Sequence, residues 1–219
     1  EIAKTFLTMP DLFNYWLTGT KACEFSNATT TQCFDPRARS WATDMLSSLN
    51  IPTDIFPEIV QPGTALGPIR KSIADEAGIA DLNVIAPACH DTGSAVAAVP
   101  MASPDALYIS LGTWALMGAE ISDPAINEKS LAYNFTNEGG VNGTYRFLKN
   151  IAGLWLVQES KRTWDLAGNP LSFDELTGRA QQAAPLTPLI DPDDPDFVAP
   201  GDMPSRIRKW CERSGQSIP

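Results

Sequence analysis

His90, Asp91 and Thr92 are three consecutive residues able to bind and deprotonate a hydroxyl, and they stand where the sequence pattern changes. The apolar run 84–88 before them is expected as a short buried strand. The small apolar residues 93–99 after them read as the start of a packed helix. In open α/β sheets that end of a strand is where ligands bind. A carboxylate there can accept a proton from a substrate hydroxyl. Aspartate is also a preferred helix N-cap, so Asp91 suits a cap, a base, or both at once.

A second group lies at residues 110–114. Leu107, Ile109 and Leu111 alternate with Tyr108 and Ser110, which is the period of a strand. Gly112 and Thr113 interrupt it, and residues 114–120 read as a returning strand. A glycine in such a turn lets backbone N–H groups approach a phosphate, and the Thr113 hydroxyl adds a hydrogen bond. The same residues also suit an ordinary hairpin turn. No Gly-x-x-x-x-Gly-Lys-Ser/Thr segment occurs, so a nucleotide site here is not of the P-loop kind. Asn150 opens a stretch with a helical pattern through residue 164, where it fits an N-cap. Gln158 then falls on the face of Ile151, Leu154 and Trp155. A glutamine on an apolar face needs partners, which a packed hydrogen bond or a ligand can supply.

The elements that must position these groups follow from periodicity and punctuation. Helices are expected at 10–19, with Pro10 in the first turn and Gly19 at the stop, and at 40–49, with Trp41, Met45, Leu46 and Leu49 on one face. Further helices are expected at 69–77 before Gly78, at 172–183 and at 203–214. Residues 22–34 read as extended or loop, and 51–66 and 191–200 as irregular because they are rich in proline. Strands are expected at 131–135 and 144–148, joined through Gly139, Gly140 and an Asn142-Gly143 turn. Residues 134–143 read as a loop near a ligand or as a long turn. Strands interleaved with helices point to α/β architecture, and residues 101–105 form the best break between two units.

Composition excludes several classes. The chain has 219 residues and a net charge of −10, which disfavours binding to nucleic acid. It contains no apolar run of membrane-spanning length, and its first residues lack a signal-peptide pattern, so a cytoplasmic protein is expected. Four cysteines and a single histidine match no zinc pattern, so no metal-ligating protein cluster and no disulfide scaffold are expected. Asn27, Asn134 and Asn142 begin N-x-Ser/Thr triplets that read as chance matches in that setting. A nucleophilic triad of Cys89, His90 and Asp91 is disfavoured, since adjacent side chains after a strand diverge.

In combination, order and spacing, several blocks resemble the FGGY carbohydrate kinases, and within them the rhamnulokinase branch. The blocks are MPDLFNYWLTG at 9–19, SNATTTQ at 26–32, HDTGSAVA at 90–97, GTWALMG at 112–118, NFTNEGG at 134–140 and LKNIAGLWL at 148–156. The resemblance covers nearly the whole chain. The Pro10-Asp11-Leu12 form stands where other members usually carry a lysine, which favours that branch. The resemblance implies an actin-like ATPase fold with two ribonuclease-H-like α/β domains. Residues 1–100 then belong to the N-terminal, sugar-binding domain and 101–219 to the C-terminal, nucleotide-binding domain.

It also implies ATP as co-substrate, Mg²⁺, and phosphorylation of L-rhamnulose at its 1-hydroxyl. Asp91 matches the general base, and His90, Thr92 and Asn150 match sugar-site residues. Gly112, Thr113 and Gln158 match nucleotide-site residues. Another ketose of the family, L-fuculose or xylulose, and a sugar-binding piece without turnover are the alternatives. A complete member also carries an Asp-x-Gly phosphate segment before these blocks and a glycine-rich adenosine site after them. Neither is present, so the isolated chain is expected to be inactive or nearly so.

Overall fold

The computed structural model describes residues 3–80, 82–103 and 105–219. Pro104, within the expected break at 101–105, lies outside them. The chain packs as two units. Residues 1–108 and 118–149 form one, and 109–117 and 150–219 form the other.

The first unit begins with α1 (Met9–Thr18). Pro10 lies in its first turn, and Gly19 takes the left-handed conformation at its end, with its N–H donating to the Tyr15 carbonyl. Next comes β1 (Cys23–Glu24), parallel to a later strand, and then the short helix α2 (Phe25–Ala28). The rest of 22–34 is extended or loop as expected, and this one helical turn interrupts it. It starts there because the Glu24 carboxylate accepts the N–H groups of Ser26 and Asn27. The hairpin β2 (Phe34–Asp35) and β3 (Ser40–Trp41) precedes α3 (Thr43–Ser48). Of the four apolar residues expected on one helical face, only Leu46 is buried. Met45 and Leu49 are exposed, and Trp41 stands on a strand beside Phe6 and Phe56.

Two short strands, β4 (Ile59–Val60) and β5 (Ala65–Pro68), cross the proline-rich stretch. The helix α4 (Lys71–Ala77) ends at Gly78 as expected, again at positive φ. β6 (Asn83–Ile85) pairs antiparallel with β5. The buried strand expected at 84–88 is thus shorter. It lies in a two-stranded pair with Ile85 exposed, while Ala86 and Ala88 carry the burial. α5 (Asp91–Ala97) follows.

A four-stranded sheet has the order β7 (Leu107–Leu111), β8 (Trp114–Ile121), β10 (Tyr145–Ala152), β9 (Thr136–Gly139). Between β8 and β9 lies α6 (Glu128–Ala132), not the strand expected at 131–135. Local capping decided that segment. The Asn127 side chain accepts from Lys129 and Ser130 N–H, and Ser130 Oγ accepts from Asn127 N–H. β9 and β10 are antiparallel and meet through Asn142 and Gly143, both at positive φ, as an Asn-Gly hairpin turn requires. Phe25 is the hub of the core here. It contacts Phe34 and Tyr145 edge-on, with Cys23 and Ala28 alongside.

In the second unit β10 runs on to Ala152, so Asn150 sits in a strand and is not the cap of a helix. The helix α7 (Trp155–Leu166) starts only after Gly153 and Leu154. α8 (Phe173–Gln182) opens with a reciprocal cap between Ser172 and Glu175. A 3₁₀ turn (Pro195–Phe197) interrupts the expected loop at 191–200, and α9 (Met203–Arg213) ends the fold. Leu156, Phe197 and Met203 form the buried cluster, with Trp155, Ile207 and Trp210 around it.

Candidate active site

In the first unit the turn before α5 rests on buried charge. Asp11, on α1, is 1% exposed. It accepts from the Thr8 hydroxyl at 2.5 Å, the Cys23 thiol at 3.0 Å and the Glu24 N–H at 2.9 Å. Glu24 is fully buried. Its carboxylate accepts from Ser26 N–H and Cys89 N–H, each at 2.9 Å, and from the Ser26 hydroxyl. Ser26 Oγ in turn accepts the His90 N–H at 2.9 Å. Every link pairs a donor with an acceptor, which is what makes buried carboxylates tolerable. The consequence is a fixed path for the backbone of Cys89 and His90.

From the other side, Arg146 on β10 is directly opposite Glu138 on β9. Its guanidinium is fully buried. Nη2 donates to Glu138 Oε2 at 3.1 Å and Nε donates to the Gly139 carbonyl at 3.0 Å. The same Nη2 is 2.9 Å from His90 Nδ1, and Glu138 Oε2 is 3.2 Å from it. Gly139 is required by packing, since a Cβ there would come within 2.7 Å of the Phe25 ring and 2.8 Å of Ser26 Cα. Close approach of α2 to the β9 edge therefore brings Ser26 and the Arg146–Glu138 pair to the same turn.

Above this base stand the expected site residues. His90 takes the N-cap position of α5, and Asp91 is the helix's first residue. The cap role weighed for Asp91 therefore falls one residue earlier. The Asp91 side chain is 98% exposed, with Oδ1 accepting from Thr92 N–H at 2.7 Å and lying 3.9 Å from His90 Nε2. Thr92 is half-buried, and its hydroxyl is 3.3 Å from Asp91 Oδ1. His90, Asp91 and Thr92 thus form one open group.

The surroundings of the thiol beside them disfavour the thiolate, the form that acts as a nucleophile. Burial first, and then the charges of Glu24 and Asp11, push Cys89 up from its ordinary 9.0 to about 12, so it stays protonated near neutrality. Cys23 moves in the same direction through burial and its hydrogen bond to Asp11. All four cysteines are free, as expected.

In the second unit Gly112 and Thr113 form the exposed turn between β7 and β8. Their carbonyls accept the N–H groups of Leu154 and Trp155 at 2.9 Å each, which ties the turn to the start of α7. Gly153 allows this approach. A Cβ on it would stand 2.6 Å from the Gly112 carbonyl oxygen and 2.8 Å from Trp114 C. Asn150 is exposed on β10 just before that contact. Gln158 lies one turn into α7, with its N–H on the Leu154 carbonyl. Because Ile151 is on the strand, the face expected to carry Gln158 does not exist. Leu154 is exposed, and Gln158 is half-buried beside a solvent-facing position. The turn is thus tied to the start of α7, with Asn150 before that contact along β10 and Gln158 after it along α7.

Among the described residues no group of three or more His, Cys, Asp or Glu is arranged to hold a metal ion, and no helix is long and apolar enough to cross a membrane.

Residues 107–218 match the model of the C-terminal domain of the FGGY family of carbohydrate kinases, and residues 1–98 match that of its N-terminal domain. A rhamnulokinase of Halalkalibacterium halodurans is 45% identical over 217 residues, covering 99% of this chain and 45% of the relative. One of Oceanobacillus iheyensis is 42% identical over 219 residues, covering 100% and 45%. The chain thus spans about half the length of these curated relatives. A ligand-bound xylulose kinase from Lactobacillus acidophilus superposes with a TM-score of 0.68 at 18% identity, over 83% of this chain and 36% of that one. Plasmodium falciparum glycerol kinase with ADP gives 0.64 at 14%, over 80% and 35%. At such identity the likeness is one of fold.

Proposed function

This chain belongs to the FGGY family of carbohydrate kinases, with parts of both domains of the actin-like sugar-kinase fold, and we propose that it carries the acid–base centre of an ATP-dependent rhamnulokinase. The observation that carries the reading is the placement of Asp91. It is a solvent-facing carboxylate beside a half-exposed histidine, on a turn held from below by a buried ion pair and by hydrogen bonds to the buried Glu24 carboxylate. The relatives named rhamnulokinase, 40–45% identical over the whole chain, support L-rhamnulose as the sugar.

The chemistry then runs as follows. The sugar 1-hydroxyl approaches Asp91, which orients it and accepts its proton as the oxygen attacks the γ-phosphorus. The new O–P bond forms as the bond from the γ-phosphorus to the β–γ bridging oxygen breaks, and ADP leaves with that oxygen. In a loose, in-line transfer the protein contributes mainly positioning and charge stabilisation. His90 and Thr92 hold sugar oxygens, and Asn150 adds a further sugar contact. Gly112 admits the nucleotide phosphates to the turn, Thr113 donates its hydroxyl to them, and Gln158 contacts the nucleotide. Mg²⁺ in such reactions is held largely by substrate phosphates and water, and no residue of this chain is assigned to it. The sugar-binding domain is assigned to residues 1–100, the nucleotide-binding domain to 101–219, and the protein to the cytoplasm.

The test is a coupled ATP-consumption assay with L-rhamnulose, L-fuculose and xylulose. It is run on the 219-residue chain and on a chimera in which the chain replaces the matching segment of the Halalkalibacterium rhamnulokinase. The expected result is turnover of L-rhamnulose by the chimera, little or none by the chain alone, and a fall in kcat of about 10²–10⁴-fold in Asp91→Asn with KM little changed. Turnover of another ketose only would remove the sugar assignment. An unaffected Asp91→Asn chimera would remove the base.

A further inference from the structure

We propose that Arg146 is a positioning residue that fixes the tautomer of His90, so that the imidazole presents an N–H, and not a lone pair, to the space beside Asp91. The inference deepens the sugar-site reading and rests on it for its purpose, though not for its geometry. The guanidinium carries only donors and stays charged in proteins. Its Nη2 lies 2.9 Å from His90 Nδ1, a distance that two donors do not share. Nδ1 must therefore offer its lone pair, which places the single proton of neutral imidazole on Nε2. That nitrogen is the one 3.9 Å from Asp91 Oδ1.

A competing demand makes this a real choice. Glu138 Oε2 is 3.2 Å from the same Nδ1 and would accept a proton there. Arg146 outweighs it for two reasons. Its contact with Nδ1 is the shorter one, and Glu138 Oε2 is already satisfied by Arg146 Nη2 at 3.1 Å. The arginine is itself held, by the Gly139 carbonyl on Nε and by complete burial. With Asp91 as base for the reacting hydroxyl, a fixed donor beside it would bond a neighbouring sugar oxygen. A lone pair there would compete with Asp91 for the hydroxyl proton.

His90 is the only histidine in the chain, so its two ring nitrogens can be read without assignment. The experiment is ¹⁵N–¹H long-range correlation NMR on the histidine-labelled 219-residue chain, without ligand, at a pH where the ring is neutral. The expected spectrum has an unprotonated Nδ1 and a protonated Nε2. In Arg146→Met the Glu138 carboxylate is left facing Nδ1, and more than half of the molecules should carry a proton on Nδ1. In Glu138→Gln the Nε2–H form should persist. A protonated Nδ1 in the unmodified chain overturns the proposal even if Arg146→Met fails to fold. An Arg146→Met variant that folds and keeps the original tautomer overturns it as well.

Adding L-rhamnulose to the unmodified chain separates this from the sugar site. A Nε2 resonance that moves supports both readings. The expected tautomer together with an Asp91→Asn chimera that keeps its full turnover of L-rhamnulose keeps the positioning role and removes the sugar-site reading.

Discussion

The Cys89 thiol shows how the buried charge under the site shapes its surroundings. Its backbone N–H is anchored on Glu24, and its side chain accepts a long contact from Asn14 Nδ2 at 3.9 Å. Burial and the two carboxylates raise it from 9.0 to about 12, so the folded chain holds this proton where the unfolded chain has released it. The unfolded state then binds fewer protons between those values, and stability falls as pH rises through that window. Urea midpoints measured from pH 8 to 11 should decline, and Cys89→Ala should decline less steeply. Parallel curves would remove Cys89 as a source of the alkaline loss. The chemistry-bearing trio His90, Asp91 and Thr92 was legible because its residue types stand at a change of pattern. Asp11, Glu24, Glu138 and Arg146 were not. Their sequence neighbourhoods look like ordinary polar positions, and only the meeting of α1, α2, β9 and β10 buries them together. The Asn142-Gly143 turn does not supply the pairing either: a two-residue loop there would set Arg146 opposite Gly139, and the register that places it opposite Glu138 is one residue away from that.

At the scale of elements, local punctuation read well and periodicity without caps read poorly. Pro10 and Gly19, Gly78 and the Asn-Gly hairpin each named an element that the fold contains. The strand expected at 131–135 failed because the Asn127–Ser130 cap outweighs a short apolar run. The helix expected from Asn150 failed because Ile151, Leu154 and Trp155 straddle the end of β10 and the start of α7, where spacing by 3.6 residues has no meaning. The boundary between those elements is Gly153, and it supports a contrast with Gly112. Gly153 meets rigid backbone at 2.6 Å, whereas a Cβ on Gly112 would meet only the Trp114 carbonyl at 3.5 Å. Gly153→Ala should therefore shift the turn and destabilise the unit by about 1–3 kcal/mol, the usual cost of overpacking. Gly112→Ala should leave its stability within about 0.5 kcal/mol, since neither packing nor a positive φ requires glycine there. Urea unfolding followed by Trp fluorescence tests both. If Gly112→Ala in the chimera also raises the KM for ATP, the glycine is there for the ligand. If it destabilises the chain as Gly153→Ala does, the turn needs glycine for its own fold.

For the whole molecule the telling feature is an apolar row left on the surface. Leu107, Ile109 and Leu111 along one side of β7 are each at least 60% exposed, Trp114 is about half exposed, and Tyr108 on the opposite side is buried. The strand was legible from its alternation, but which side it buries was not, because both sides carry residues that a core accepts. A row of bulky apolar side chains on a strand should bind a hydrophobic dye. The chain is expected to raise 1-anilinonaphthalene-8-sulfonate fluorescence severalfold under native conditions. Leu107→Lys and Ile109→Lys should lower the signal without loss of secondary structure by circular dichroism. In the chimera the signal should fall close to that of the unmodified Halalkalibacterium enzyme. That fall would mean the row is a face that a kinase of this family buries. A chimera as bright as the free chain would mean that this sequence keeps the row open within a full-length relative, and that its exposure is a property of the segment itself.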